Sequence, residues 1–459
     1  MKKIILFFGF ILSVVLFAAC QKSPAPIAQT PPMGWNSWDC FGVDVNESEI
    51  KAVADYMAEN LQPYGWEYVV TDILWYGGPD VKIENFKAEK PEQRIDEYGR
   101  LIPAVNRYPS AVDGSFKPVA DYIHSKGLKF GIHVMRGIPW QAVERNTQIL
   151  DTEYRARDIV AYGDTCIWYD GMYGVNLDHP GAKVYYYSLI KLYAEWGVDY
   201  IKVDDIARPY HAKDIEAIHT AIKTVGRPII LSLSPGAAPI GQAEHLRQYA
   251  NMWRISPDFW DDWPFLYRQF ELCAKWQDYI TPGHWPDADM LPMGKLRKRG
   301  SDDYVLQHMN LTQQDVTDEY SRFTDEEKKT MMTLWCITRS PLMLGGNLPE
   351  NDENTFSLIT NDEALAVNQN SAGNRQLFRR DDIVAWFASV PDSKDKYLAL
   401  FNISDKNNVR VSVTLGELGV AAPYSVRNLW RKIPEGQFDQ DFSVMLPAHG
   451  SGLYRIIAH

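Results

Sequence analysis

Tyr200-Ile201-Lys202-Val203-Asp204-Asp205 is a short apolar run that ends in carboxylates, as a parallel strand does where it emerges from a barrel. Lys202 and Asp204 are two apart, so on a strand they share one face while Val203 takes the other. An inward Lys beside an inward Asp keeps that carboxylate ionised, which is the state a nucleophile requires. A solvated strand end with an ordinary ion pair has the same local pattern, and six residues alone leave both readings open.

A second stretch repeats the logic. Asn251-Met252-Trp253-Arg254-Ile255-Ser256-Pro257-Asp258 is an apolar segment holding one Arg, broken by Pro257, with Asp258 just beyond. Two such carboxylates are what glycoside hydrolysis needs. One attacks the anomeric carbon, the other protonates the departing oxygen, and a retaining enzyme holds them about 5 Å apart.

Working outward, residues 66–73, 128–134, 199–203, 228–233 and 252–256 read as buried strands, because apolar residues fill both faces. Helical spacing occupies 47–61, 116–126, 182–196 and 212–225 between them. Repeated strand-then-helix units imply a parallel sheet. Strands one, seven and eight are weakly marked. The long segments 76–109 and 136–180 follow strands two and three, where active-site loops gather in a barrel, although the charged 82–100 reads as surface insertion. After Asn370 the texture becomes β-rich, at 383–389, 396–403, 409–415 and 452–457.

Thr30-Pro31-Pro32-Met33-Gly34-Trp35-Asn36-Ser37-Trp38, Tyr200 to Asp204, Trp253 to Asp258, Trp285-Pro286-Asp287-Ala288-Asp289-Met290-Leu291, Ser340-Pro341-Leu342-Met343 and Val367-Asn368-Gln369-Asn370 resemble, in order, the signatures of family 27 glycoside hydrolases, the α-galactosidase family. The resemblance implies a (β/α)8 TIM barrel over residues 30–370 and a C-terminal antiparallel β-sandwich over 371–459. It also implies a retaining exo-glycosidase acting on galacto-configured termini, with Asp204 as nucleophile and Asp258 as acid/base. Lys202 and Arg254 would bind sugar hydroxyls and lower the pKa of the carboxylate beside each. Trp35 would form an apolar wall under the ring. No cofactor or metal is needed, and the ten His residues form no ligand motif.

Departures from the family bear on the sugar. Its α-galactosidases carry two consecutive Asp residues at the end of strand two, for O4 and O6; here stand Asp72 and Ile73. Asp72 keeps the O4 contact, but Ile73 accepts no hydrogen bond, and an unpaired buried O6 costs about 1–3 kcal/mol. β-L-Arabinopyranose, which is α-D-galactopyranose without the hydroxymethyl, avoids that cost and is the favoured substrate. Ser234 stands near where relatives have a Glu for O2, and His133 where they often have Tyr. An ordinary α-D-galactosidase, a backbone-cleaving glucan hydrolase with an open cleft, and a catalytically inactive glycan-binding lipoprotein are the alternatives.

The formal charge of −12 excludes nucleic acid and anionic membrane surfaces as electrostatic partners and suits a neutral plant-type oligo- or polysaccharide ending in galactose or L-arabinopyranose. Lys2 and Lys3 precede an apolar run over 4–17, then Ala18-Ala19-Cys20, which resembles a bacterial lipobox. Residues 1–19 are therefore read as a signal peptide, 20–29 as linker, and Cys20 as a lipid attachment point holding an exported protein on the periplasmic side of the outer membrane. Cys40, Cys166, Cys273 and Cys336 have no close pairing and read as packed thiols, or at most one or two disulfides.

Overall fold

A computed structural model describes residues 27–459 apart from 84, 302–305, 308 and 318; the signal peptide, Cys20 and most of the linker lie outside it. Eight parallel strands form one curled sheet: β1 (Met33–Asn36), β2 (Tyr68–Thr71), β3 (Lys129–Met135), β4 (Tyr200–Asp204), β5 (Ile230–Leu233), β6 (Met252–Arg254), β7 (Trp285–Asp287) and β8 (Leu342–Leu344). They neighbour one another in chain order, and β8 pairs back onto β1. Closure between β7 and β8 falls to Leu291, whose amide donates to Met343 O at 2.8 Å and whose carbonyl accepts from Gly345 N at 3.0 Å. The weakly marked strands β1, β7 and β8 are three or four residues long and carry Gly34, Asn36, Pro286 and Asp287 among them, so they show no longer apolar run.

Helices α1 (Glu47–Asn60), α2 (Lys117–Ser125), α3 (Pro180–Trp196), α4 (Ala212–Val225), α5 (Ala243–Tyr249), α6 (Trp263–Trp276), α7 (Asp325–Thr338) and α8 (Asp362–Gln369) surround the sheet. α1 shows why such segments are helical. Asn46 caps it by accepting from Ser48 N and Glu49 N, and Glu49 returns a bond from Asn46 N, while Ile50, Val53, Ala54 and Met57 form one buried stripe.

Alternation along the strands makes two cores. Tyr68, Val70, Tyr200, Ile230, Met252, Trp285 and Met343 point inward and fill the barrel floor. Outward residues such as Val69, Ile201, Val203, Leu231 and Trp253 pack against the helices. Gly34 points inward, where an added Cβ would lie 2.6 Å from Tyr68 Cβ, so a side chain there would collide with the floor.

The C-terminal module has a six-stranded antiparallel sheet, in spatial order β9 (Ala372–Arg380), β10 (Ile383–Ser389), β11 (Lys396–Asn402), β16 (Ser451–Ala458), β13 (Tyr424–Asn428) and β14 (Ile433–Phe438). The pair β12 (Val409–Val413) and β15 (Phe442–Leu446) covers one face through Leu398, Leu400, Val411, Tyr424 and Phe442. Ala399 and Phe401 alternate to the other face and join the barrel's outer core, where Thr330 Oγ1 of α7 donates to His449 O at 2.6 Å. All four described cysteines are free and buried, so the disulfide alternative does not apply to them.

Candidate active site

The polar residues that continue the inward rows above the floor define the site. They line a cavity of about 290 Å³ at the C-terminal ends of the strands, within reach of Asp72, Ile73, His133, Lys202, Asp204, Ser234, Arg254 and Asp258. The fold thus gathers eight of the nine sequence-read site residues, drawn from β2 through β6 and the turns that follow them.

Asp72 is locked from three sides. Its Oδ2 accepts from Lys202 Nζ at 2.9 Å and from Asn36 Nδ2 at 2.7 Å, and its Oδ1 accepts from Ile73 N at 2.8 Å. Burial pushes this carboxyl up, but the charge of Lys202, His133 and the Ile73 amide outweigh burial and hold it well below the usual carboxylate range. Burial lowers the Lys202 ammonium, yet Asp72 and Asp204 leave it above its ordinary value.

Lys202 therefore bonds across the barrel instead of along its own strand. Inward side chains of different strands converge above the floor, which brings the Lys202 ammonium to the Asp72 carboxylate over the intervening β3. Asp204 is held by a different group: His133 Nε2 donates to its Oδ2 at 3.1 Å, and Asp205 N donates to its Oδ1 at 2.7 Å. A carboxylate only accepts, so Nε2 of His133 carries a proton toward Asp204, and Nδ1 is buried without a partner. Burial raises Asp204, but the His133 bond, the charges of His133 and Lys202, and the Asp205 amide together bring it below its ordinary value.

Arg254 organises the opposite wall. Its Nη2 donates to Asp258 Oδ1 at 3.0 Å and lies 2.6 Å from Asp289 Oδ2. Asp258 is half exposed toward the mouth, whereas Asp289 is buried. Asp289 has a left-handed backbone, φ 87°, which costs a non-glycine residue about 1–3 kcal/mol. Its surroundings hold it there: Oδ2 accepts from Phe259 N at 2.8 Å, Oδ1 from Met290 N at 2.8 Å, and its carbonyl from Trp335 Nε1 at 2.9 Å. Burial raises its pKa, Arg254 offsets part of that, and Asp258 and Asp287 add to it, leaving Asp289 above its ordinary value.

Trp35 is the correction. It is fully buried on the outward face of β1, in register with Val69 and Leu344, and its indole donates to Gly346 O at 2.7 Å. The alternation that puts Gly34 inward sends Trp35 to the helices, and Trp38, three residues on, lines the cavity instead. Asp39, Asp289, Phe259 and Trp260 also line it and were not singled out from sequence. Trp38 and Asp289 sit inside stretches that carried the family likeness, so a signal existed for them; Asp39 had none. Its Oδ2 packs against Gly345 without a hydrogen bond, and burial followed by the charge of Asp289 pushes the carboxyl well above the usual range. Phe86 and Lys87 also reach the cavity, so part of the charged 82–100 segment is more than surface insertion.

Carboxyl groups and the buried cations Lys202 and Arg254 share this pocket, a lining that can hydrogen-bond a neutral polyol from many sides. Among the described residues no cluster of three His, Cys, Asp or Glu could hold a metal ion. A barrel with two carboxylates facing such a cavity is the arrangement of a glycoside hydrolase. The family model described as alpha galactosidase A matches residues 30–179 and 166–313, and that of the alpha galactosidase C-terminal beta sandwich domain matches 380–456. The chain belongs to glycoside hydrolase family 27, the α-galactosidase family. It is 50% identical to the crystal structure of a family 27 β-L-arabinopyranosidase from Geobacillus stearothermophilus, with a TM-score of 0.89 over 94% of this chain and 97% of that one. It is 26% identical to an alpha-galactosidase of Cyamopsis tetragonoloba, covering 93% of this chain and 86% of that protein. Alpha-galactosidase A of Cellvibrio japonicus is likewise 26% identical, over 99% of both chains.

Asp289→Ala removes one carboxylate from a buried guanidinium and is expected to destabilise the fold by about 3–5 kcal/mol, with Asp289→Asn costing less because it keeps hydrogen-bonding capacity. Urea unfolding of the two variants beside wild type measures this, and equal midpoints would mean that Arg254 does not depend on the pair.

Proposed function

We propose that the protein is a retaining exo-glycosidase that removes terminal β-L-arabinopyranosyl residues in preference to α-D-galactosyl residues. The observation that carries the sugar assignment is Ile73, buried on the cavity wall directly after the O4-binding carboxylate Asp72. An aliphatic group there fills the space of a hydroxymethyl and offers it no hydrogen bond. The likeness at 50% identity to a β-L-arabinopyranosidase supports the same choice.

In this reading Asp204, kept ionised by His133, attacks the anomeric carbon while Asp258 gives its proton to the glycosidic oxygen, and the leaving group departs as an alcohol. Asp258 then takes a proton from water, whose oxygen attacks the same carbon and displaces Asp204. Asp72, Lys202 and Arg254 hold ring hydroxyls, and Ser234 at the end of β5 is available to O2. The exit side suits Asp258, which is half exposed where the leaving group must pass.

Ile73→Asp is expected to shift the kcat/KM ratio toward nitrophenyl α-galactoside, away from nitrophenyl β-L-arabinopyranoside, by roughly tenfold to a few hundredfold. Parallel losses on both substrates, with the ratio unchanged, would return the assignment to an ordinary α-galactosidase. Two displacements predict net retention. Proton NMR of the first-formed sugar should show the substrate's anomeric configuration, and an inverted product would make Asp204 a base acting on water. Export with a lipid on Cys20 completes the proposal: Cys20→Ala should abolish palmitate labelling and release activity from the membrane fraction, and unchanged labelling would overturn the anchor.

A further inference from the structure

The inner pocket and the lip of the cavity differ in chemistry. At the inner end Asp72 and Asp289 are paired with the buried cations Lys202 and Arg254, so the charges there are satisfied within the pocket. Three loops build the lip. Lys87 comes from the loop after β2, Ile167 and Trp168 from the one after β3, and Arg208 from the one after β4.

Two features of the lip need an explanation. Ile167 is 89% exposed beside the half-buried Trp168, which makes an apolar ledge open to solvent at the mouth of the cavity. Arg208 is exposed and, among the described residues, makes no hydrogen bond or ion pair, in a chain where 59 acidic residues outnumber 47 basic ones. An aromatic and aliphatic ledge accepts the C–H face of a sugar ring, and a guanidinium matches a carboxylate in bidentate geometry. Lys87 puts a second cation on the same rim.

We propose that the lip is a leaving-group subsite for a uronic acid, with the ring on Trp168 and Ile167 and the carboxylate on Arg208 and Lys87. The inference rests on the glycosidase reading above and names its substrate class: a neutral terminal pyranosyl residue linked to an acidic sugar.

The test uses two aryl glycosides of the same sugar, 3-carboxyphenyl and its neutral 3-carbamoylphenyl analogue, with the nitrophenyl glycoside as a control for activity. The carboxylate-to-carboxamide ratio of kcat/KM should fall about tenfold from wild type to Arg208→Met, be partly kept in Arg208→Lys, and shrink in high salt. Comparing ratios between proteins cancels the difference in leaving-group acidity. A ratio that is the same in wild type and Arg208→Met overturns the subsite while leaving the glycosidase reading intact, and a dead nitrophenyl control strikes that reading instead. Tryptophan fluorescence reads the lip without turnover. Saturable binding of methyl glucuronoside but not methyl glucoside, lost in Arg208→Met, supports the subsite, and an equal response to both sugars overturns it.

Discussion

The ion pair between Lys202 and Asp72, 2.9 Å apart and spanning β2 to β4 over β3, is the constraint on which the rest of the site depends. Both groups are nearly buried, and removing one partner of such a pair leaves a charge without compensation, at a cost of about 3–5 kcal/mol. Lys202 fixes the ionised state and the aim of Asp72, and its field reaches Asp204 as well. His133, in register with Lys202 on the strand between, can then serve Asp204 alone. Across the cavity Arg254 plays the matching part for Asp258 and Asp289. Two cations thus divide the carboxylates into two groups facing one another.

This polar layer stands on an apolar one. Tyr68, Tyr200, Met252 and Trp285 fill the barrel and keep water from reaching the charges from below. Low dielectric on that side strengthens each pair and makes any unpaired group expensive. The left-handed backbone at Asp289 belongs to the same logic: a costly conformation persists because an indole, two amides and a guanidinium all require it.

Much of this was legible in sequence because its signals are local. Short apolar runs with carboxylates at their ends mark the ends of β4 and β6, and period-two alternation places Lys202 and Asp204 on one face. Asp72 and Ile73 stand out as a local departure from a pattern. The change of texture after Asn370 marks the start of the β-rich module, whose two layers follow from alternation along β11.

Other features depend on which strand lies beside which. Whether Lys202 serves Asp204 or Asp72 is decided by what the other strands bring beside each carboxylate: Asn36 and Lys202 converge on Asp72, while His133 and the Asp205 amide take Asp204. Trp35 reads as the wall in the linear sequence, and only the register of β1 against β2 and β8 turns it outward to the helices and leaves Trp38 at the cavity. Asp39 becomes a buried carboxyl with its pKa pushed up because Gly345 and Asp289, some hundreds of residues away, close around it. The sequence by itself determined the repeated strand-then-helix units, the β-rich module and the candidate carboxylates, because these follow from periodicity and residue type, whereas closure into a barrel was implied by the family likeness. Tertiary structure alone decided who pairs with whom, because burial and Coulomb interaction depend on distances that close only when the eight strands meet.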